Sequence, residues 1–232
     1  MKKKLLLLLL SSVLFLPTFA ESMCVNLKND ETVSFDLEDI KDVTICETIH
    51  MFDESETPLK FKILSDSTVE VIRDDSYQEL DSVIIPAKVR IDGKIYDVTS
   101  IGYEAFFGCS GLTSINIPES VTSIGIAAFS YCSGLTSINI PNGVTFIGYA
   151  AFSGCSGLTS INIPESVTSI GWYAFSGCSG LTSINIPESV TYIGDVAFLG
   201  CTNLDIVIDN SKDKVKVGDR AFQGCKSVTY LK

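Results

Sequence analysis

What this 232-residue chain can fold into is set by a repeat. The stretch 109–125, CSGLTSINIPESVTSIG, recurs letter for letter at 155–171, and with small changes at 132–148 and 178–194. Cys109, Cys132, Cys155, Cys178 and Cys201 keep a beat of 23 residues, and Cys225 follows one residue late, after the insertion-bearing stretch 209–216. The pairs Ala105-Phe106, Ala128-Phe129, Ala151-Phe152, Ala174-Phe175, Ala197-Phe198 and Ala221-Phe222 keep the same beat. Self-similarity at a fixed period of this size marks a solenoid, in which each unit packs only on its neighbours.

Within one unit, Ile115 and Ile117 alternate with Ser114 and Asn116, the period of a strand with one buried face. Pro118 has no amide to donate and ends the pairing. Val121 and Ile124 supply a second short extended segment, and Gly125 permits a corner. Ala128 and Phe129 then point inward on a turn of helix or 3-10 helix, and Cys132 closes the coil. One coil cannot bury these side chains by itself. Stacked at ~4.8 Å per coil, the repeats bury them in one continuous core and form an array of roughly 25–30 Å. The Phe column is a packing device, and six of the eight cysteines occupy a position that wants a small buried side chain, so they are expected as reduced thiols. Cys24 and Cys46 are the better disulfide candidates.

The pattern L-x-x-I-x-I-P-x-x-V-x-x-I-G-x-x-A-F-x-x-C, over 98–232, resembles the BspA-like leucine-rich repeat family. The resemblance implies a right-handed solenoid superhelix with a parallel sheet on its concave side. It also implies an exported surface or secreted protein linked to adhesion, to host matrix proteins or to other cells.

The rest of the chain reads as three segments. Residues 1–20 carry Lys2, Lys3 and Lys4, a short apolar run and a Thr-Phe-Ala end, which is a secretory signal with cleavage expected after Ala20. Cys24 is the residue a lipoprotein leader would modify, but Glu21-Ser22-Met23 is a poor lipobox. Residues 21–57 read as a short polar β module, with a strand around Phe35, a turn near 38–41 and a second strand; it resembles, more weakly, a module that opens secreted proteins of the Bacteroidetes type. Residues 58–97 read as an N-terminal cap with β-hairpins, one turning at 65–67 and one at Asp92-Gly93, with Val83-Ile84-Ile85-Pro86 anticipating the repeat's Ile-Asn-Ile-Pro. At the other end Cys225 restarts a unit and the sequence stops. Either Lys226 and Lys232 blunt that edge, or it pairs with a second copy, or the chain is a piece of a longer natural protein.

The formal charge is −11, and −14 once Lys2, Lys3 and Lys4 leave with the signal. No Lys or Arg lies between Lys94 and Lys212. Such a surface cannot neutralise phosphates, so nucleic acid is excluded as its partner, and anionic lipid is disfavoured. After the leader no stretch is apolar and long enough to span a membrane.

The chemistry of catalysis is missing. His50 is the one histidine and lies outside the array; no nucleophile elbow, phosphate loop or dinucleotide fingerprint occurs. Glu119, Glu165 and Glu188 form a spaced acidic row without a calcium loop, and no Cys-x-x-Cys zinc spacing is present, so neither a metal nor a cofactor is assigned. Two surfaces remain. One is the outward row of Ser114, Asn116, Ser137, Asn139, Ser160, Asn162, Ser183 and Asn185, whose plain reading is a solubilising ladder and whose functional reading is a binding face. The other is the variable pair ahead of each Ala-Phe, above all Tyr149, Trp172 and Tyr173, residue types that anchor interfaces when they are not incidental packing. The sequence thus reads as a secreted or cell-surface, non-catalytic adhesion module for a protein or glycan partner. Its rival is a structural spacer, or a fragment of a larger surface protein with no binding role of its own.

Overall fold

The computed structural model describes residues 57–232 and, before them, the backbone of three short strands, Lys4–Leu6, Ser34–Asp36 and Met51–Asp53. The chain divides into two compact units, Met1–Ile49 and His50–Lys232. In the first, Lys4–Leu6 pairs antiparallel with Ser34–Asp36. The cleavage point at Ala20, the turn near 38–41, Cys24, Cys46 and His50 lie outside the described residues.

The second unit is almost entirely β and turn. It opens with two antiparallel hairpins, Lys60–Ile63 with Thr68–Ile72 and Lys88–Ile91 with Lys94–Ile101. The second turns at Asp92 and Gly93, both with positive φ (49° and 81°), which is the type I′ geometry that suits strand twist. Thr68–Ile72 then pairs in parallel with Lys94–Ile101, so the hairpins merge directly into the stack. Ser82–Ile84 pairs in parallel with Ser114–Asn116, setting Val83 opposite Ile115 and Ile84 opposite Asn116.

From there the coils stack along three lines of backbone pairing. The first runs through the Ser-Ile-Asn strands in two groups: Ser137–Asn139 meets Ser160–Asn162 residue for residue, and Ser183–Ile186, Asp205–Ile208 and Ser227–Tyr230 form a second, parallel sheet. The second joins the two-residue strands Phe146–Ile147, Ser169–Ile170, Tyr192–Ile193 and Lys216–Val217. The third runs through the Ala-Phe turns, where the Phe106 amide donates to the Ala128 carbonyl (2.8 Å) and Phe129, Phe152, Phe175 and Phe198 repeat the bond to the next coil.

These turns are not helices. Bonds of the 3-10 type close each one, such as Ala105 to Gly102 and Cys109 to Phe106. A left-handed residue just before each Ala-Phe interrupts them: Glu104, Ala127, Ala150, Tyr173, Val196 and Arg220 all have φ between 50° and 57°. Amides that a helix would turn inward along its axis are instead aimed at the next coil. The one 3-10 helix among the described residues is Asp75–Glu79, in the cap, with the Asp74 carboxylate capping the Ser76 amide at 2.9 Å.

The core is a stack of identical layers. Phe106, Phe129, Phe152, Phe175 and Phe198 are buried, with centroids 5.1–5.5 Å apart and planes within 12° of parallel. Tyr77 closes the column from the cap, 5.2 Å from Phe106. Its hydroxyl accepts the Lys60 amide (2.5 Å), and burial pushes its pKa up to about 12. At the far end Phe222 stacks less well, at 6.0 Å and 26°, and is half-buried.

The cysteine column lies beside the rings. The described cysteines are free thiols, buried from Cys109 to Cys201 and half-buried at Cys225. Each Sγ from Cys132 on donates to the Phe carbonyl of the previous coil, at 3.0–3.3 Å. The site therefore uses the weak S–H donor as well as its small volume. Burial raises every one of these thiol pKa values, to about 11 at Cys109 and Cys225 and about 12 at Cys155 and Cys201.

Phe152→Ala leaves a void with coils on both sides and should cost about 3–5 kcal/mol in urea denaturation, with Phe222→Ala at the loose end costing less than half as much. Gly157→Ala would set a Cβ 2.3 Å from the Ser133 carbonyl oxygen, whereas at Gly111 the nearest atom is 3.8 Å away. The first should therefore destabilise by about 1–3 kcal/mol and the second stay within about 0.5. Because the folded state holds the thiols protonated, stability should be constant below the unfolded thiol range and fall as pH rises from about 9 towards 12, where unfolded chains ionise first. Native thiol titration with a maleimide at pH 8 should label Cys225 ahead of the five buried thiols.

Candidate functional site

Stacking in register decides which side chains meet. In the strand Ser137–Asn139 the Ile faces the core, so Ser and Asn face out; the same holds at Ser114–Asn116, Ser160–Asn162 and Ser183–Ile186. All eight Ser and Asn side chains singled out from sequence are exposed, on the outward side of strands that stack coil on coil; Ser137–Asn139 and Ser160–Asn162 are paired directly, and the strands at 114–116 and 183–186 belong to the neighbouring sheets. The row is bounded by Ile84 opposite Asn116 and by Val207 opposite Asn185.

Many hydroxyls of the array are used up within the stack. Thr136, Thr159, Thr168 and Thr191 reach back to the Thr carbonyl one coil earlier. Ser120, Ser166 and Ser189 bond backbone carbonyls of the preceding coil, and Ser130, Ser153 and Ser176 those of the following one. These are structural. The eight Ser and Asn side chains of the sheet face make no such bond among the described residues, so their donors and acceptors are turned to solvent. Ser137, Ser160, Asn162, Ser183 and Asn185 line a shallow trough of about 500 Å³ that runs along the stack to Val207.

The second surface lies at the corner after each Gly. Trp172, Tyr173 and Tyr149 are close to half exposed. They line a depression of about 350 Å³ together with Asp195, Val196, Asp219 and Arg220. The Tyr149 and Tyr173 rings are 5.6 Å apart and tilted by 56°. Trp172 Nε1 donates to the Tyr192 hydroxyl at 2.9 Å, which fixes one edge of the indole.

Asp219 and Arg220 were missed in the sequence because the insertion at 209–216 shifts the beat by one residue. Counted from Ala221-Phe222, they are the sixth variable pair. Tyr192 was missed for another reason: its neighbours at the same coil position are Ser123, Phe146 and Ser169, and a column of mixed residues gives no signal until the coils are stacked.

The shifted titratable groups among the described residues are held by structural partners or by burial. Lys226 and Ser227 hold Asp205 below the usual carboxylate range, and Lys232 does the same to Glu188; both carboxylates are exposed and structurally paired. Lys226 and Lys232 thus turn back onto acids of earlier coils. The thiols are pushed upward, away from nucleophilic use. Among the described residues no three metal-ligating side chains converge, and no helix is long and apolar enough to cross a membrane.

Residues 99–229 match the model for the BspA type leucine-rich repeat region, in six copies. A leucine-rich repeat protein from Bacteroides ovatus is similar in structure, with 30% identity over 73% of this chain and 56% of that one, and a TM-score of 0.51. The Treponema pallidum leucine-rich repeat protein is 26% identical over 74% of this chain and 82% of its own, with a TM-score of 0.58. The pneumococcal vaccine antigen PcpA, at 19% identity over 67% of this chain and 48% of its own with a TM-score of 0.50, shares the fold. This chain thus spans a little over half of the Bacteroides protein. No curated protein matches it. With six stacked copies, matched over more than half of its length, the chain belongs to the BspA-type leucine-rich repeat family.

Proposed function

We propose that the chain is an exported, non-catalytic interaction module that holds a protein or glycan partner, from a host matrix or another cell surface, against its sheet face. In this reading residues 1–20 are a leader removed after Ala20, 21–57 a small β module, 58–97 the cap and 98–232 the binding array. The observation that carries the reading is the contrast between hydroxyls. Thr136, Thr159, Thr168, Thr191, Ser120, Ser130, Ser153, Ser166, Ser176 and Ser189 are bonded within the stack, while the Ser-x-Asn rows offer eight exposed side chains at regular spacing, five of them along a trough. An uncharged face of this kind binds by many geometrically spaced hydrogen bonds, each worth about 0.5–1.5 kcal/mol net, so affinity comes from the array and not from a single residue.

Screening the purified protein against immobilised host matrix proteins and a glycan array tests this. At least one ligand should be retained, and substituting Asn139→Ala, Asn162→Ala and Asn185→Ala together should weaken it about tenfold or more without lowering the melting temperature. A folded protein that retains nothing, as a spacer would, or a ligand indifferent to the triple variant, contradicts the reading.

A further inference from the structure

We infer that the corner depression around Trp172 is a second binding site, and that its occupant is a basic segment of a partner protein, which lays an Arg or Lys side chain over the rings of Trp172, Tyr173 and Tyr149 beside Asp195. The inference rests on the interaction reading above, but on neither the sheet face nor its Ser and Asn residues.

Four observations carry it. First, the side chains here are not dictated by the fold. Every coil turns the same corner with a left-handed residue, and the other coils fill the two positions with pairs as different as Ile126-Ala127 and Asp195-Val196. Tyr173 holds φ at 57°, a conformation that disfavours bulky side chains, and yet the residue is 40% exposed, so the core gains little from it. Second, the indole is held ready. Its Nε1 is tied to Tyr192, and Cδ1 lies where a Cβ on Gly194 would stand, 2.4 Å away, so the ring rests on bare backbone; it is still 49% exposed.

Third, the charges around the rings favour a cation. Asp195 Oδ1 accepts the Asp219 amide at 2.9 Å, and no ion pair engages its carboxylate among the described residues. Asp219 is engaged by Arg220 at 3.3 Å, and Lys216 lies over the ring of Tyr192 at 6.0 Å, outside the depression, so among the residues that line it Asp195 is the carboxylate left without an ion pair. Fourth, the coils before the site are acidic: residues 95 to 211 hold eight Asp or Glu and no Lys or Arg, and cations enter only from Lys212 on. Aromatic faces and a carboxylate both attract a cation, and a surface of this sign steers a basic partner inward. A neutral sugar would stack on the rings and donate hydroxyls to Asp195 but would not be drawn in by the acidic surface or released by salt, and an acidic partner would be repelled.

Trp172 is the only tryptophan in the chain, so its emission reports this site alone. The full chain is titrated with a flexible Arg-Gly peptide, its Glu-Gly counterpart and a neutral β-linked gluco-oligosaccharide. The Arg-Gly peptide should change Trp172 emission saturably, with affinity falling roughly tenfold between low and high salt. Asp195→Asn and Tyr173→Ala, both checked for an unchanged melting curve, should each weaken it several-fold. Arg220→Ala should tighten it, and the triple Asn→Ala variant of the sheet face should leave it unchanged. An equal response to the oligosaccharide or the Glu-Gly peptide, no response at all, or Arg-Gly binding insensitive to both Asp195→Asn and Tyr173→Ala overturns the inference. Loss of matrix or glycan binding in the triple variant, with this titration intact or failed, reports on the sheet face separately.

Discussion

In-register stacking of one coil on the next is the constraint from which the other features follow. A coil of 23 residues presents Leu, Ile, Val, Ala, Phe and Cys to one side and has too few residues to fold back over them. Only a neighbour with the same pattern can complete the layer. Parallel pairing on three sides holds that neighbour to a fixed register, and the nearly coplanar Phe rings show how little freedom is left. The close approach explains the glycines that face a carbonyl oxygen one coil away, and the thiols that reach the Phe carbonyl of the coil before.

The same constraint sorts side chains by purpose. Anything that points inward repeats, because a change in one layer is felt in two others. Side chains that bond a carbonyl of an adjacent coil repeat too, which accounts for the threonine rows that reach back one coil. Among the positions free of both demands are the sheet face, which nevertheless stays uniform at Ser and Asn across four coils, and the corner pair, which varies from coil to coil. Uniformity without a packing reason and variation at a fixed backbone geometry are different signals. They point to two surfaces with different chemistry, one neutral and extended, the other aromatic and acidic.

Much of this was legible beforehand. The period, the Ile alternation and the Ala-Phe beat specify the solenoid, because each is a physical requirement that recurs. The outward placement of Ser and Asn follows from the period of two alone. The left-handed corner was not legible: Ala127, Val196 and Tyr173 are residues that avoid that conformation, and only the third line of pairing explains why they adopt it. Nor was the membership of the corner site, since Asp219, Arg220 and Tyr192 reach it only through stacking across an insertion. The closure of the Phe column by Tyr77 was hidden for a similar reason, because the cap does not share the repeat's wording.

The central claim is that the coil is the unit of both folding and register, and deletion of residues 132–154 tests it most directly. That removes one full period and rejoins Tyr131 to Cys155, leaving Trp172 in place. The account predicts a folded protein with one cooperative urea transition and an m-value lower by about one coil's share of buried surface, whereas deleting half that length shifts the register and abolishes cooperative folding. A one-period deletion that fails to fold, or a half-period deletion that folds as well, would contradict it.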